Sequence, residues 1–242
     1  MFGNEGVQMT VEDLKVIYED NQVIVVIKPQ NVPVQADSSE DVDLLSIVKE
    51  YVKVKYDKPG DVYIGLVHRL DRPTGGVMVF ARTSKAAARL SESIKSGEMS
   101  KKYLAVVVGE PCEKAGKLVH YLKKNPMNNT VMTVPQVTEG AKRAELDYRV
   151  LDTQKGLSLV DIDLITGRSH QARVQMTSLR TPIFGDRRYA GERFIKGNLA
   201  LWAVTVKFEH PVSHEKMVFT VYPPTDEIPW KYFDVDRFLR VH

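Results

Sequence analysis

The sequence predicts an α+β fold whose sheet is mainly antiparallel, on the basis of two patterns. Residues 117–164 show one strand-like run after another with polar turns between them, and short connections between successive strands imply antiparallel pairing. Residues 42–53 and 84–96 instead carry apolar side chains at helical spacing between helix start and stop signals. The 242 residues, 43% of them hydrophobic, are enough for one substantial domain or two closely packed lobes.

The N-terminal part of the chain predicts a tail, two strands and a helix. Residues 1–16 carry little pattern, and we expect a flexible tail there, followed by a single domain over residues 17–242. Residues 17–29 predict two strands joined by a short turn, since β-branched residues dominate the second run. Asp41 is expected to cap the helix over residues 42–53 because an Asp side chain can accept from the first free N–H groups.

The remaining elements follow from the same signals. Thr83 or Ser84 is expected to cap the second helix, and Gly97 is expected to end it. Further strands are predicted over residues 64–67, 77–81, 101–108, 117–123, 131–134, 143–151, 157–164, 199–208 and 216–222.

One segment, residues 68–76, lies between two apolar runs and is more polar than a turn requires. It holds three charged side chains, an imidazole, one proline and two glycines, and the proline and glycines favour a rigid, non-repetitive loop. If the segment begins extended, Arg69 and Asp71 point to one face and His68 and Leu70 to the other. An Asp that nearby arginines keep ionised suits a nucleophile or a general base. An Arg–Asp ion pair that closes a surface turn is the alternative.

A second polar cluster, residues 164–176, combines a strand end with several basic side chains. Thr166 or Ser169 could cap a helix that reaches Leu179. Arg168 at such a strand-to-helix junction would hold its guanidinium in a fixed position, and a helix N-terminus offers unpaired N–H groups to an anion such as phosphate. Solvated arginines beside an ordinary helix cap are the alternative that this stretch alone leaves open.

Composition favours a reducing compartment and is compatible with a nucleic-acid partner. The formal charge is +3 and the pI about 8.8, which permits nucleic-acid binding without requiring it. The single cysteine, Cys112, cannot form an internal disulfide. No apolar run approaches the ~18 residues of a membrane span, and the N-terminus lacks a signal-peptide pattern. We therefore expect a cytoplasmic protein without membrane contact.

Several of these segments resemble the motifs of RNA pseudouridine synthases of the RluA type, in the order of that family. Residues 68–76 resemble its central motif, with Thr74-Gly75-Gly76 in place of the usual Thr-Ser-Gly. Residues 25–29 resemble its first motif, and the third is matched by residues 164–176, which differ from the usual pattern at Ala172 and Gln175. Lys101 and Tyr103 match the Lys-x-Tyr of the family. The resemblance extends over about residues 17–224.

The resemblance implies a fold, a reaction and a set of functional residues. The implied fold is a long mixed, mainly antiparallel sheet with flanking helices and a central active-site cleft. The implied reaction converts uridine to pseudouridine in structured RNA without a cofactor or a metal. Asp71 is the implied catalytic residue, Tyr103 would stack on the flipped base, and Arg168 would pair with Asp71. Arg69 would fill the space that the flipped base leaves. The residues expected to contact RNA are His68, Arg69, Arg72, Lys101, Lys102, His170 and Arg173.

The expected partner is ribosomal or transfer RNA, bound by a monomer. Because only 16 residues precede the first predicted strand, we expect the catalytic domain to bind RNA without a separate N-terminal module. A catalytically silent RNA-binding module on the same scaffold is the alternative, which the intact Asp71, Tyr103 and Arg168 disfavour. A glycoside hydrolase would normally need two carboxylates, and no second acid lies in these motifs.

Overall fold

The computed structural model describes residues 9–37, 39 and 41–239, which divide into two units. The first unit comprises the described residues up to Met99 together with Thr205–Val221. The second unit comprises Ser100–Val204 together with the described residues from Tyr222 onward.

The strands and helices are named in chain order. They are β1 (Lys15–Glu19), β2 (Val23–Lys28), α1 (Leu44–Lys55), β3 (Gly65–Leu66), β4 (Gly75–Ala81), α2 (Ser84–Ser96), β5 (Ser100–Val108), β6 (Ala115–Asn125), β7 (Thr130–Val134), β8 (Lys142–Gln154), β9 (Leu157–Leu164), α3 (Gln171–Ser178), β10 (Leu201–Glu209), β11 (Lys216–Thr220) and α4 (Val235–Leu239). Two short 3-10 turns cover Gly191–Arg193 and Trp230–Tyr232.

The first unit is built on β2 and β4, whose residues are almost all buried. β2 pairs antiparallel with β1 and with β4, and the short β3 pairs antiparallel with β4. β11 pairs antiparallel with β10. The buried faces of α1 and α2 add Leu44, Val48 and Leu90 to the apolar interior, each fully buried aliphatic side chain stabilising the fold by roughly 1.5–3 kcal/mol.

The second unit contains a sheet of antiparallel strands. Its order is β5-β9-β8-β6-β7, and every neighbour in that order pairs antiparallel. Helix α3 packs its Val174 against Leu122, Val131 and Ala144 of this sheet, with Tyr189 at the border of the cluster. The predicted α+β class and the mainly antiparallel pairing are therefore confirmed.

The ends of the elements correct several predictions. Asp43, not Asp41, caps α1: its carboxylate accepts from the Ser46 backbone N–H at 3.0 Å. β4 begins at Gly75, so both glycines expected in the loop belong to the strand. α2 is capped by Thr83 and ended by Gly97, which has a φ of 80°, as predicted.

Two further predictions concern the tail and the third helix. Residues 1–8 of the expected tail lie outside the described residues. Met9 and Leu14 are buried around a turn in which the Asp13 carboxylate accepts from the Thr10 backbone N–H at 2.8 Å, so this part of the segment is packed. Neither Thr166 nor Ser169 caps α3, because His170 precedes the helix with a φ of 52° and makes no side-chain cap.

Candidate active site

The loop that carries Asp71 lies between β3 and β4 in the first unit. Burial alternates along it: His68 and Leu70 are buried, Arg69 is exposed and Asp71 is half-buried, which confirms the predicted division of faces. The Thr74 backbone N–H donates to the Asp71 carbonyl oxygen at 2.9 Å and closes a turn. Asp71 therefore projects from a short turn between two strands, on the opposite side from the buried residues.

His68 supports this loop from inside. Its Nε2 accepts from the Val79 backbone N–H of β4 at 3.1 Å, and only 7% of the residue is exposed. The structure thus gives His68 a supporting position within the first unit, and its contact with RNA stays a prediction.

The buried ammonium group of Lys28, at the end of β2, ties the loop to the sheet. Its Nζ donates to the carbonyl oxygens of Pro29 at 2.9 Å, Arg72 at 2.9 Å and Thr74 at 2.8 Å, so three N–H groups meet three acceptors. Burial lowers the pKa of Lys28 to about 7, and the nearby Asp71 carboxylate acts in the opposite direction and raises it. Because the carbonyls of Arg72 and Thr74 follow Asp71 closely in the chain, Lys28 fixes the backbone that presents this carboxylate.

Arg72 anchors the same loop through its side chain. Its Nε donates to the Asn31 carbonyl oxygen at 3.1 Å, one terminal nitrogen donates to the Ser39 hydroxyl at 2.8 Å, and the other pairs with the Asp41 carboxylate. Each of its three nitrogens thus has a protein acceptor, and the contact of Arg72 with RNA stays a prediction. Asp41, predicted as a helix cap, serves this pair instead.

Arg69 differs from Arg72 in being exposed. Its contact with the Gln35 side-chain oxygen is long, at 3.5 Å. A guanidinium with so weak an internal partner can still reach a ligand, so the RNA contact predicted for Arg69 agrees with its placement.

The second unit holds the remaining predicted residues, beginning with those of β5. Tyr103 is 5% exposed, and Lys101 is half-buried with a pKa lowered by burial. Lys102 lies 3.7 Å from the Asp161 carboxylate and 3.3 Å from that of Asp163. The positive charge of Lys102 is thus already balanced by two carboxylates within the unit.

The two arginines of residues 164–176 have different surroundings. Arg168 is exposed, and its Nε donates to the Arg143 carbonyl oxygen at 2.9 Å. Arg173 is 5% exposed and grips Asp186 with two bonds, of 2.9 Å from Nε and 2.7 Å from a terminal nitrogen. The pairing of Arg168 with Asp71 stays a prediction, while the local contacts of Arg168 are those of a surface residue.

His170 lies between these two arginines and contacts Tyr189. Its Nδ1 is 2.6 Å from the Tyr189 hydroxyl, which also accepts from the Val131 backbone N–H at 2.9 Å. The Arg173 guanidinium lies over the Tyr189 ring at 5.1 Å. The segment that follows α3 is therefore fastened to the helix and to the β6–β7 hairpin.

The predicted site residues did not include three that support these contacts: Lys28, Asp186 and Tyr189. Lys28 precedes a proline at the end of the β-branched run that resembles the first family motif. Asp186 and Tyr189 follow α3 in a segment where an acid is embedded among apolar and basic residues. The sequence gives no direct sign of their partners, because each contact joins separate elements.

The residues that the structure describes contain neither a metal-binding cluster nor a membrane-spanning helix. No group of three or more His, Cys, Asp or Glu side chains able to hold a metal ion occurs among them. Within the same residues, no helix is both long and apolar enough to cross a membrane. Cys112 is an exposed free thiol.

Comparisons with known proteins agree on one family. A family model described as RNA pseudouridylate synthase matches residues 22–178. A protein of Vibrio cholerae named ribosomal large subunit pseudouridine synthase D is 32% identical over 230 residues, which cover 89% of this chain and 69% of that protein. A protein of the same name in Salmonella typhimurium is 30% identical over 242 residues, covering 93% and 72% respectively.

Two solved human structures share the fold. Human RNA pseudouridylate synthase domain containing 1 matches with a TM-score of 0.73 at 21% identity, covering 96% of this chain and 95% of that one. Human RNA pseudouridylate synthase domain containing 4 matches with a TM-score of 0.71 at 23% identity, covering 87% and 88%.

Proposed function

The chain belongs to the RNA pseudouridylate synthase family, and we propose that it converts uridine to pseudouridine in large-subunit ribosomal RNA, with Asp71 as the catalytic carboxylate. The observation that carries the assignment of Asp71 is the double anchoring of its loop, by the buried Lys28 ammonium and by the Arg72 guanidinium. The names of the Vibrio and Salmonella relatives, which specify the ribosomal large subunit, support the choice of RNA.

The reaction explains why an anchored carboxylate is useful. The bond from uracil N1 to ribose C1′ breaks, the uracil turns, C5 bonds to C1′, and the proton lost from C5 is balanced by one gained at N1. A carboxylate can assist by attacking the ribose or by acting at the base. In both cases a carboxylate already held in its working orientation avoids reorganisation when the RNA binds.

Three further residues have proposed roles on the RNA. A base in folded RNA must leave its stack to reach a side chain, which costs a few kcal/mol. We propose that Arg69 fills the vacated space, as its exposed position permits, and that the Tyr103 ring stacks on the flipped uracil, a contact worth roughly 1–3 kcal/mol. Arg168 is proposed to orient Asp71.

The remaining expectations concern cofactors, assembly and compartment. We propose that the reaction needs neither a cofactor nor a metal, and that the enzyme acts as a monomer. A free exposed thiol such as Cys112 suits a reducing compartment, and we propose that the protein acts in the cytoplasm.

The test uses purified protein with three transcripts: large-subunit ribosomal RNA, transfer RNA and an unrelated structured RNA. Pseudouridine is detected as a mass shift after selective derivatisation, and product should form at discrete sites in the ribosomal transcript. Turnover should persist in EDTA once the RNA has been folded. Product formed only in transfer RNA would contradict the proposal that ribosomal RNA is the substrate. Binding without product in any transcript would favour the catalytically silent RNA-binding module.

A further inference from the structure

We propose that four exposed cations on the second unit form a docking surface for the RNA backbone, an inference that rests on the proposed function. This surface, which we name the basic band, lies outside the motifs that carry Asp71 and Tyr103. Its residues are Lys124, Lys142, Arg187 and Arg188, all of them exposed.

The contacts of the second unit place these residues next to one another. In the register of β6 and β8, Leu122 is paired with Lys142. Lys124 follows Leu122 by two residues and therefore points to the same face of the sheet as Lys142.

The other end of the band is joined through the β6–β7 hairpin. A terminal nitrogen of Arg188 donates to the carbonyl oxygens of Asn128 at 3.1 Å and Asn129 at 2.6 Å, at the tip of the hairpin that Lys124 enters. Arg187 is the adjacent residue. Chain neighbours, strand pairing and hydrogen bonds thus link the four cations across one region.

The charge of this region is strongly one-sided. The whole chain has a formal charge of only +3, yet the side chains of Lys124, Lys142, Arg187 and Arg188 form no ion pair within the described part of the chain. Cations without a carboxylate partner can release counterions when they meet phosphates, which is the main source of sequence-independent RNA affinity.

The backbone beneath the band is rigid. The Tyr189 hydroxyl accepts from the Val131 backbone N–H at 2.9 Å and contacts His170 Nδ1 at 2.6 Å. Asp186 accepts from the Arg188 backbone N–H at 3.0 Å and holds the segment to α3 through Arg173. A surface whose loops are already fixed loses little conformational entropy on binding.

The experiment compares two triple variants with the same change in net charge. The band variant carries Lys124→Gln, Lys142→Gln and Arg187→Gln. The control variant carries Lys49→Gln, Lys53→Gln and Lys85→Gln at exposed positions of the first unit. Dissociation constants are measured for a ribosomal and an unrelated structured transcript over a series of salt concentrations, after thermal melting has shown that both variants are folded.

The band variant should bind both transcripts at least about tenfold more weakly at low salt, and the slope of log affinity against log salt should shrink by about 2. The control variant should bind like the wild type. Equal RNA affinities and equal salt slopes for the two variants would overturn the proposal. An acidic protein would then be the better candidate for a partner of the band.

Failure of the surface and failure of the function give different results. If the wild type makes no pseudouridine while the band variant still loses affinity, the reaction is wrong and the docking surface stands. If the wild type makes pseudouridine and the two variants bind alike, the docking surface is wrong and the function stands.

Discussion

Residues 68–72 of the first unit and residues 168–173 of the second each contain two arginines. The two segments resemble each other in what their arginines contact, but their ion pairs differ in burial. Each has one exposed arginine, Arg69 or Arg168, and one arginine fixed to a carboxylate. The Arg72–Asp41 pair keeps 34% and 24% of its side chains exposed. The Arg173–Asp186 pair keeps 6% and 0%.

This difference in exposure distinguishes charged side chains that can act at a binding site from those that stabilise the fold. A half-exposed pair contributes little stability, of the order of 0–1 kcal/mol, so its main effect is to hold a loop in place. Breaking a buried pair leaves an uncompensated charge in the interior and costs several kcal/mol. We therefore expect loss of the Arg173–Asp186 pair to affect stability, and loss of the Arg72–Asp41 pair to affect catalysis.

The largest expected effect is on the buried pair. Asp186→Asn should lower the free energy of unfolding by roughly 3–5 kcal/mol, because Arg173 loses its carboxylate. The control is Asp163→Asn, whose side chain is 46% exposed and whose loss should cost less than ~1 kcal/mol. Urea unfolding measures the free energy of unfolding of both variants. Equal losses of stability would show that the buried pair contributes no more than an exposed one.

The next effect concerns the internal support of the first segment. Lys28→Met leaves the carbonyl oxygens of Arg72 and Thr74 without their donor, which should cost roughly 2–3 kcal/mol of unfolding free energy. The single-turnover rate should fall about a hundredfold or more, since Asp71 is no longer held, while RNA affinity changes little. His210→Gln, at another buried polar residue of the first unit, is the control that should affect stability alone. A Lys28→Met rate near that of the wild type would show that the loop keeps its shape without the lysine.

A smaller effect is the pH dependence that Lys28 confers. Burial lowers the pKa of Lys28 from 10.5 to about 7, so between these values the unfolded chain holds a proton that the folded chain has released. The free energy of unfolding should therefore rise with pH, by roughly 1.5 kcal/mol from about pH 7 to about pH 8.5. Lys28→Met should lose this component and Lys53→Met should keep it. Parallel pH profiles for the wild type and Lys28→Met would contradict the shift.

The smallest effect separates positioning from RNA contact at Arg72. Arg72→Lys and Asp41→Asn should each slow single turnover about tenfold, equivalent to ~1.4 kcal/mol, and the double variant should be no slower than either, because both changes break the same pair. RNA affinity and its salt slope should stay close to those of the wild type. If Arg72 contacted phosphate, Arg72→Lys alone would weaken RNA binding through the loss of the two-pronged guanidinium, and Asp41→Asn would leave binding unchanged or stronger.

The sequence was most informative where the signals are local. Thr83 and Gly97 bound α2 as predicted because a cap and a left-handed glycine act within one helical turn. Asp41 failed as a cap because Arg72, distant in sequence, takes its carboxylate, and Asp43 is close enough to replace it. A competition between a local and a distant partner cannot be resolved from residue types alone.

The same limit applies to the candidate site. The polar segment around Asp71 could be identified from its composition, and the alternation of His68 and Asp71 between two faces followed from extended geometry. The burial of Lys28 and of Arg173 could not be predicted, since lysine and arginine are mostly exposed and their partners lie on other elements.

The most direct test of the central claim is pseudouridine formation by Asp71→Asn, measured together with RNA affinity. The change keeps the shape of the side chain and removes its charge. We predict no detectable product under single-turnover conditions and a dissociation constant within about tenfold of the wild type, a difference of less than ~1.4 kcal/mol. Asp61→Asn, at an exposed aspartate of the same unit, should retain full activity. Substantial turnover by Asp71→Asn would contradict the assignment of Asp71 as the catalytic carboxylate.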